Sequence, residues 1–389
     1  MGLRRATFAA ASGERNAVTV TLDGTAVRIA DAGAPLTVGP GCVADGASAR
    51  CELVTDHYTV PRLALGDGDD SATVGAIKVR AEIDGGDGND TLTATSVAGF
   101  VGGTGDDVIH GGERGDSIDP GPGADTVMAG GGGDFLYADT DLPPVADRYD
   151  GGEGEDQISY LNRRTGVRVD LAAGVGGEPG EDDALTGLED VTGSVASDVL
   201  AGDDGPNRFF TRASQGDRFL GRGGDDRIEG SSHGDRIDGG PGDDHIRTEG
   251  GADRVDGGPG RDEVLVRSTR ESGHVAVACD GDDTVEIADP RPASLGPRCT
   301  RLVVDDVAVR LHRRSLTARW MRQGHPAPCR LQVTFTRAGH VRARTEVGRL
   351  GRAHARNIRA PAGRVTVAPA TANCGSDFGS PERFTFTFG

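Results

Sequence analysis

The sequence is poor in aromatic residues and contains no long apolar run. Phe, Trp and Tyr together make up 4% of the 389 residues, so a thick core of aromatic side chains is not expected. A membrane-spanning helix needs about 18 or more consecutive apolar residues, and no run of that length occurs. The chain is therefore expected to fold without a membrane span.

Motifs of several common site types are also missing. The nine histidines form no HExxH, and the sequence contains no CxxC, P-loop or EF-hand loop, which argues against zinc proteases and zinc or thioredoxin-like sites. One GxSxG occurs, GSSHG at 230–234. A nucleophile elbow needs a strand before it and a helix after it, whereas Ser232 lies inside a glycine-rich repeat. We therefore predict that the chain is not an enzyme.

Charge is distributed unevenly along the chain. Residues 1–300 carry 26 basic and 56 acidic side chains, whereas residues 301–389 carry 16 basic and 5 acidic ones. An acidic body repels nucleic acid and anionic membranes and attracts cations. Metal ions are therefore the expected partners, and nucleic acid is not.

The six cysteines lie in three sequence-local pairs, Cys42 with Cys51, Cys279 with Cys299, and Cys329 with Cys374. An even number of locally spaced cysteines is typical of disulfides formed in an oxidising compartment, although other pairings stay open. The first sixteen residues contain no apolar stretch of signal-peptide length. Secretion would then use another route or a start further upstream.

A nine-residue phrase rich in glycine and aspartate recurs through the middle of the chain, for example GGPGDDHIR at 239–247. In each unit the sixth residue is acidic and the eighth is aliphatic. One run of five consecutive units starts at Gly221, a run of four starts at Gly102, and single units start at Gly85 and Gly151. Their sixth residues are Asp90, Asp107, Asp116, Asp125, Asp134, Asp156, Asp226, Asp235, Asp244, Asp253 and Asp262.

These residue types together indicate a calcium site. Glycines permit positive-φ turns and close backbone approach, so successive carbonyl oxygens can point to one spot, and the aspartate adds a carboxylate. Such hard oxygen ligands suit Ca²⁺ rather than zinc or copper. The alternative is a Gly/Asp scaffold without metal, but it would stack like charges in a partly dry site. The glycines assigned to the sites with these aspartates are Gly102, Gly111, Gly221, Gly239 and Gly257.

The units resemble the nonapeptide GGxGxDxUx of the RTX (repeats-in-toxin), or haemolysin-type, calcium-binding proteins. The resemblance implies an all-β fold, a parallel β-roll (β-solenoid) in which two nonapeptides make one turn. It places several Ca²⁺ ions between loops two units apart, along both edges. The implied edges are Asp226, Asp244 and Asp262 opposite Asp235 and Asp253, and Asp107 and Asp125 opposite Asp116 and Asp134.

The remaining segments alternate apolar and polar residues, as half-buried strands do. We predict an N-terminal β cap at 1–64, the calcium-binding roll at 65–300 with an insertion at about 137–200, and a basic β-sandwich-like domain at 301–389. In the insertion, Glu181, Asp182 and Asp183 are expected to be solvated. Trp320 is expected in the core of the last domain.

The sequence is interpreted as an extracellular calcium-binding protein with a structural or adhesive role, which folds when it binds Ca²⁺. A cell-surface or matrix polysaccharide is a candidate partner. The alternative is a secreted polysaccharide-active enzyme or hydrolase-associated module that uses the solenoid face, with two carboxylates as acid and base.

Overall fold

The computed structural model describes residues 7–38, 42–52, 61–77, 79–139 and 143–267, the short segments 275–279, 283–287 and 293–295, and the strands that follow. Regular secondary structure in these residues is β-strand throughout. The described part of the chain contains no helix with the length and apolarity to cross a membrane. The chain divides into two compact units, Met1–Ser194 and Val195–Gly389.

The N-terminal unit consists of short strands. Their bounds are β1 (Thr7–Ala9), β2 (Ala17–Asp23), β3 (Ala26–Asp31), β4 (Cys42–Asp45), β5 (Ser48–Glu52), β6 (Arg62–Asp67), β7 (Ser71–Val74), β8 (Ala81–Asp87), β9 (Thr91–Ala94), β10 (Ala98–Thr104), β11 (Val108–His110), β12 (Ser117–Asp119), β13 (Thr126–Met128), β14 (Phe135–Tyr137), β15 (Arg148–Asp150), β16 (Gln157–Ser159), β17 (Arg168–Asp170), β18 (Val175–Gly176), β19 (Asp183–Thr186) and β20 (Asp190–Thr192).

Strands of the repeats alternate between two parallel sheets. One sheet contains β7, β9, β11, β13, β15 and β19, and the other contains β6, β8, β10, β12, β14, β16 and β20. In β11 and β13, Ile109 lies opposite Val127. Because a strand pairs with the next but one along the chain, two nonapeptides make one turn. The prediction of an all-β parallel β-roll is confirmed.

The core of this coil is a thin aliphatic column. Ile109, Ile118, Val127 and Leu136, the eighth residues of four successive units, are all 0% exposed. Their neighbours on the three-residue strands are only half-buried or exposed. Side chains alternate between the two faces of a strand, so each strand contributes one side chain to the interior. Apolar burial per residue is therefore small.

The coil begins before the first repeat. β1 pairs in parallel with β6, and β2 pairs in parallel with β7. Strands β3, β4 and β5 add an antiparallel extension to β2. A disulfide joins Cys42 on β4 to Cys51 on β5, as predicted.

The insertion before the second run of repeats contains its own antiparallel strands. β18 pairs with both β17 and β19. The expectation that its carboxylates are solvated is wrong for Glu181 and Asp183, which are 3% and 0% exposed, and it holds for the exposed Asp182. Their burial is possible because Gly177 brings the backbone close: a Cβ there would overlap the carboxylates of both residues.

The C-terminal unit continues with strands of the same kind. Their bounds are β21 (Val199–Ala201), β22 (Arg208–Phe210), β23 (Arg218–Leu220), β24 (Arg227–Glu229), β25 (Arg236–Asp238), β26 (His245–Thr248), β27 (Arg254–Asp256), β28 (Glu263–Val266), β29 (Val275–Ala278), β30 (Thr284–Ile287), β31 (Ala293–Leu295), β32 (Arg301–Val304), β33 (Val307–His312), β34 (Ser315–Trp320), β35 (Leu331–Arg337), β36 (His340–Val347), β37 (Arg352–Arg356), β38 (Gly363–Pro369) and β39 (Phe384–Phe388).

This unit also begins as a parallel coil. β21, β23, β25, β27 and β29 form one ladder, and β22, β24, β26, β28, β30 and β32 form the other. After β32 most strand pairs are antiparallel, for example β33 with β34 and β35 with β36. β31 continues the first ladder by pairing in parallel with β29, and β39 pairs in parallel with β31. Cys279 is disulfide-bonded. Cys299, Cys329, Cys374 and the side chain of Trp320 lie outside the described residues.

Replacing a column residue should destabilise the coil. Ile237 is 1% exposed, so Ile237→Ala leaves a cavity and should cost about 2–5 kcal/mol in the free energy of unfolding. The exposed neighbour Arg236 provides the control, and Arg236→Ala should change stability by less than about 0.5 kcal/mol. Denaturant unfolding in saturating Ca²⁺ measures both. Equal effects would contradict the assignment of Ile237 to the core.

Candidate metal centre

The sixth-position aspartates form hydrogen-bonded ladders along the edges of the coil. The backbone N–H of one aspartate donates to Oδ1 of the aspartate one turn later, at 2.7 Å from Asp90 to Asp107 and at 2.9 Å from Asp226 to Asp244. The other such donor–acceptor pairs are Asp70 to Asp90, Asp107 to Asp125, Asp116 to Asp134, Asp134 to Asp156, Asp198 to Asp217, Asp217 to Asp235, Asp235 to Asp253, and Asp244 to Asp262.

These ladders bring together the aspartates that the sequence assigns to common edges. Asp107 neighbours Asp125, and Asp116 neighbours Asp134. Asp226, Asp244 and Asp262 follow one another on one edge of the second run. Asp235 and Asp253 lie together on the other edge. Asp90 and Asp156 extend the two ladders of the first run at opposite ends.

The second carboxylate oxygen of many ladder aspartates is buried without a hydrogen-bond donor. These side chains are at most 4% exposed. A buried charged oxygen without a partner is costly, so each one is a candidate ligand for a cation. The Oδ2 atoms concerned include those of Asp70, Asp90, Asp107, Asp134, Asp156, Asp226 and Asp244.

The first glycine of each unit leaves space beside this oxygen. A Cβ on Gly239 would overlap Oδ2 of Asp244 and the carbonyl oxygen of Gly257. Gly102 and Gly221 have the same surroundings, each with the Oδ2 of its own aspartate and a carbonyl oxygen of the next turn. The corresponding Cβ positions on Gly111 and Gly257 would overlap Oδ2 of Asp116 and Asp262, respectively.

The later glycines of a unit are required by the backbone. Gly240 and Gly242 have φ of 96° and 153°, a region that other residues rarely adopt. Arg222 takes the place of such a glycine in its unit, with φ of 75°, and its Nη1 donates to the carbonyl of Gly202 at 2.6 Å. A Cβ on Gly240 or Gly242 would also overlap a carbonyl oxygen of the preceding turn, that of Arg222 or Gly224.

The donor set is that of a calcium site. No group of three or more His, Cys, Asp or Glu side chains that could hold a metal converges within the described segments. Ca²⁺ takes six to eight oxygens and accepts carbonyl as well as carboxylate ligands. One Oδ2 per loop, with backbone carbonyls of adjacent turns, fits Ca²⁺ and does not fit zinc or copper.

Some ladder aspartates have donors from the protein itself. Oδ2 of Asp235 accepts the N–H of Ser231 at 2.8 Å, and Oδ2 of Asp217 accepts the Thr211 hydroxyl at 2.8 Å. Oδ2 of Asp116 accepts the N–H of Gly112 at 2.9 Å. The need for a cation is therefore smaller at these three positions than at the aspartates with bare oxygens.

The sequence reasoning missed Asp70 as a ladder residue. The segment 66–70, GDGDD, keeps two glycines and the aspartate but begins after a leucine. Asn16, which belongs to no nonapeptide, continues the ladder: its N–H donates to Oδ1 of Asp70 at 2.6 Å, and its Nδ2 donates to the carbonyl of Leu65 at 3.0 Å. The G-x-G-x-D pattern was the available signal for Asp70.

Burial raises the pKa of the ladder aspartates. Desolvation raises the pKa of Asp107, Asp134 and Asp226 from 3.8 to about 7. The same cause raises the pKa of Asp90 and Asp244 to about 6. Hydrogen bonds from backbone N–H groups oppose these shifts, and neighbouring carboxylates reinforce them. These buried carboxylates therefore bind protons at a higher pH than an exposed aspartate does.

Acidification should stabilise the metal-free coil but should weaken calcium binding by the calcium-bound coil. A raised carboxylate pKa means that the folded state binds more protons than the unfolded state between pH 3.8 and about 7. Without metal, the coil should therefore gain stability as the pH falls from 8 towards 4. With Ca²⁺, protons compete for the same oxygens, so more Ca²⁺ should be required at low pH. Circular dichroism in chelator that shows the coil weakening on acidification would contradict this.

Filling the space beside one carboxylate should weaken calcium binding. Gly239→Ala introduces a Cβ that overlaps two candidate ligand oxygens, and we expect the apparent Ca²⁺ affinity of that loop to fall about tenfold or more. Gly223 is the matched control, because a Cβ there would meet only ordinary contacts of 3.5 to 3.7 Å. Calcium titrations of Gly239→Ala and Gly223→Ala test the site. Identical curves for both variants would count against it.

Comparison with known proteins agrees with this geometry. The family model for the RTX calcium-binding nonapeptide repeat matches in four copies, at residues 82–96, 101–137, 213–246 and 229–264. These ranges contain the candidate aspartates except Asp156. A search of curated proteins finds no match. The chain therefore carries RTX calcium-binding nonapeptide repeats between residues 82 and 264.

Proposed function

We propose that the chain is an extracellular structural or adhesive protein whose β-roll binds several Ca²⁺ ions and folds on binding them. The row of buried Oδ2 oxygens without hydrogen-bond donors carries this proposal. Such oxygens recur along the ladders at Asp90, Asp107, Asp134, Asp226 and Asp244. A cation beside each of them would remove the energetic cost of its burial.

We propose calcium-dependent folding because the coil has few other sources of stability. Each short strand contributes little apolar burial, while the glycine-rich loops lose much backbone entropy on ordering. Adjacent carboxylates on one ladder repel each other when ionised, as the effect of Asp244 on the pKa of Asp226 illustrates. Binding of Ca²⁺ to the folded loops alone would shift the equilibrium towards the coil.

Three stretches of ladder are the strongest candidates for occupied sites. They run through Asp70, Asp90 and Asp107, through Asp134 and Asp156, and through Asp226 and Asp244. In each stretch the Oδ2 atoms have no donor. Ca²⁺ would be held there by Oδ2 and by carbonyl oxygens of adjacent loops, and it would supply the charge that neutralises stacked carboxylates.

One feature of the structure supports an extracellular location. The disulfide between Cys42 and Cys51 is of a kind that persists in oxidising environments. Extracellular calcium modules bind with dissociation constants of about 10⁻⁴–10⁻³ M, and we expect this roll to bind in the same range. We assign the roll a structural or adhesive role without catalysis, with a cell-surface or matrix polysaccharide as the candidate partner.

The polysaccharide-active alternative has no comparable support. Desolvation raises the pKa of Asp183 to about 8, but this residue is 0% exposed. A general acid must reach the atom that it protonates. Asp183 is therefore a structural carboxyl in this fold.

A calcium titration tests the proposed function. Protein stripped with chelator should show a clearly reduced β-sheet signal in far-ultraviolet circular dichroism, and the missing signal should appear at about 10⁻⁴–10⁻³ M Ca²⁺. Mg²⁺ is the control ion, because it demands a smaller octahedral site and should not replace Ca²⁺. Full β content in excess chelator would overturn the proposal.

Asp244→Asn tests whether the ladder carboxylates are the ligands. The substitution removes one charged oxygen that is buried without a donor, and we expect the calcium midpoint to rise severalfold. Asp256→Asn removes the same charge from an exposed strand position and serves as the control. An equal shift in both variants would mean that only net charge matters.

A further inference from the structure

The insertion of the N-terminal unit encloses a buried arginine. The side chain of Arg163 is 2% exposed, and its Nη2 lies 2.7 Å from Oδ1 of Asp139. The same nitrogen contacts Oε1 of Glu181, and Nη1 lies 3.6 Å from Oε1 of Glu178. The carboxylates of Asp139 and Glu181 are 0% exposed. One guanidinium thus faces three carboxylates inside the fold.

The aspartate ladder that contains Asp107 and Asp125 passes through this region with its oxygens satisfied, whereas Asp156 on the other ladder has an Oδ2 without a donor. The N–H of Asp125 donates to Oδ1 of Asp147 at 2.8 Å, and the N–H of Asp147 donates to Oδ1 of Asp183 at 3.0 Å. The hydroxyl of Tyr149 donates to Oδ2 of Asp147 at 2.9 Å. The hydroxyl of Tyr160 donates to Oδ2 of Asp183 at 3.3 Å.

These contacts differ from those of the preceding turns on the same ladder. Asp90 and Asp107 have Oδ2 atoms that are buried without a donor, beside the glycines Gly85 and Gly102. Before Asp147 the sequence reads LPPVAD at 142–147, without glycine. At Asp147 and Asp183 a tyrosine hydroxyl donates to Oδ2, the oxygen that has no donor in Asp90 and Asp107. Arg163 supplies a positive charge to the nearby Asp139 and Glu181.

We propose that Arg163 is a built-in cation that makes calcium unnecessary on the ladder through Asp147 and Asp183, so that residues 143–192 keep their structure when the repeats and the candidate site at Asp156 have released Ca²⁺. Residues 143–192 are called the insertion segment below, and residues 85–137 the repeat segment. A guanidinium stays charged at any physiological pH and cannot be removed by a chelator. The proposal rests on the proposed function, in which Ca²⁺ holds the repeat segment.

The consequence is a preformed block next to the first run of repeats. β15 pairs with β13, and β16 pairs with β14, so the insertion segment presents ordered strand edges to the last two strands of that run. In a repeat coil, structure can begin at one place and spread through nearest neighbours. Calcium-dependent folding of the repeat segment would then start from this block.

Hydrogen exchange on the full chain, followed by mass spectrometry, tests the proposal. In excess chelator the amides of the insertion segment should exchange at least about tenfold more slowly than those of the repeat segment. In Ca²⁺ both segments should be protected. Fast exchange of both segments in chelator, with protection of both in Ca²⁺, would overturn the built-in cation and leave the proposed function intact. Protection of both in chelator would overturn both ideas.

Variants at Arg163 test the role of its charge. Arg163→Gln should abolish the protection of the insertion segment in chelator, while Arg164→Gln, at the exposed neighbour, should leave it unchanged. Because Arg163→Gln can also prevent folding in Ca²⁺, Arg163→Lys is the second variant and should retain most of the protection. Full protection in Arg163→Gln, or equal losses in the Gln and Lys variants, would contradict the assignment of a cation role.

Discussion

The hydrogen bond from one ladder aspartate to the next is the interaction on which the rest of the coil depends. It uses Oδ1 of a buried carboxylate to accept the N–H of the preceding turn, for example from Asp90 to Asp107 at 2.7 Å. This bond fixes the spacing of successive turns, and it directs Oδ2 into a buried space. A single geometric arrangement thus holds the backbone in register and creates the demand for a cation.

The chain meets this demand in two ways. In the glycine loops, no side chain crowds Oδ2. A methyl group on Gly239, for example, would overlap Oδ2 of Asp244. Elsewhere the protein supplies donors, such as Ser231 for Asp235 and Tyr149 for Asp147. The family description establishes calcium-binding repeats, and the distribution of donors indicates which loops need calcium most.

The sequence predicted the coil well because its period is local. Position six and position eight of each nonapeptide have one role each, so spacing alone places Asp107 beside Asp125 and puts Ile109 in the core. The insertion could not be predicted in the same way. Arg163, Asp139 and Glu181 come together only after the chain folds back, and charged residues in a glycine-rich segment normally indicate a solvated loop.

Asp70 and Asp147 show a second limit of the sequence reasoning. The unit that contains Asp70 begins with Leu65 where the pattern expects glycine, and Asp147 follows a segment, 142–146, that contains no glycine. Both residues still take part in the ladder: the N–H of Asp70 donates a hydrogen bond to Asp90, and Oδ1 of Asp147 accepts one from Asp125. The ladder requires only the aspartate and the strand that follows it. We propose that the first glycine of a unit serves the calcium site. A search for complete nonapeptides therefore detects candidate calcium sites but misses turns of the coil that lack this glycine.

The most direct test of this account is a crystal structure with Ca²⁺, with the ions located by anomalous scattering. The account predicts peaks within about 2.3–2.6 Å of Oδ2 in residues such as Asp107 and Asp244, where that oxygen has no donor. It predicts no peak beside Oδ2 of Asp147 or Asp183, which accept tyrosine hydroxyls. Calcium at the tyrosine-bonded carboxylates, or its absence from the bare ones, would contradict it.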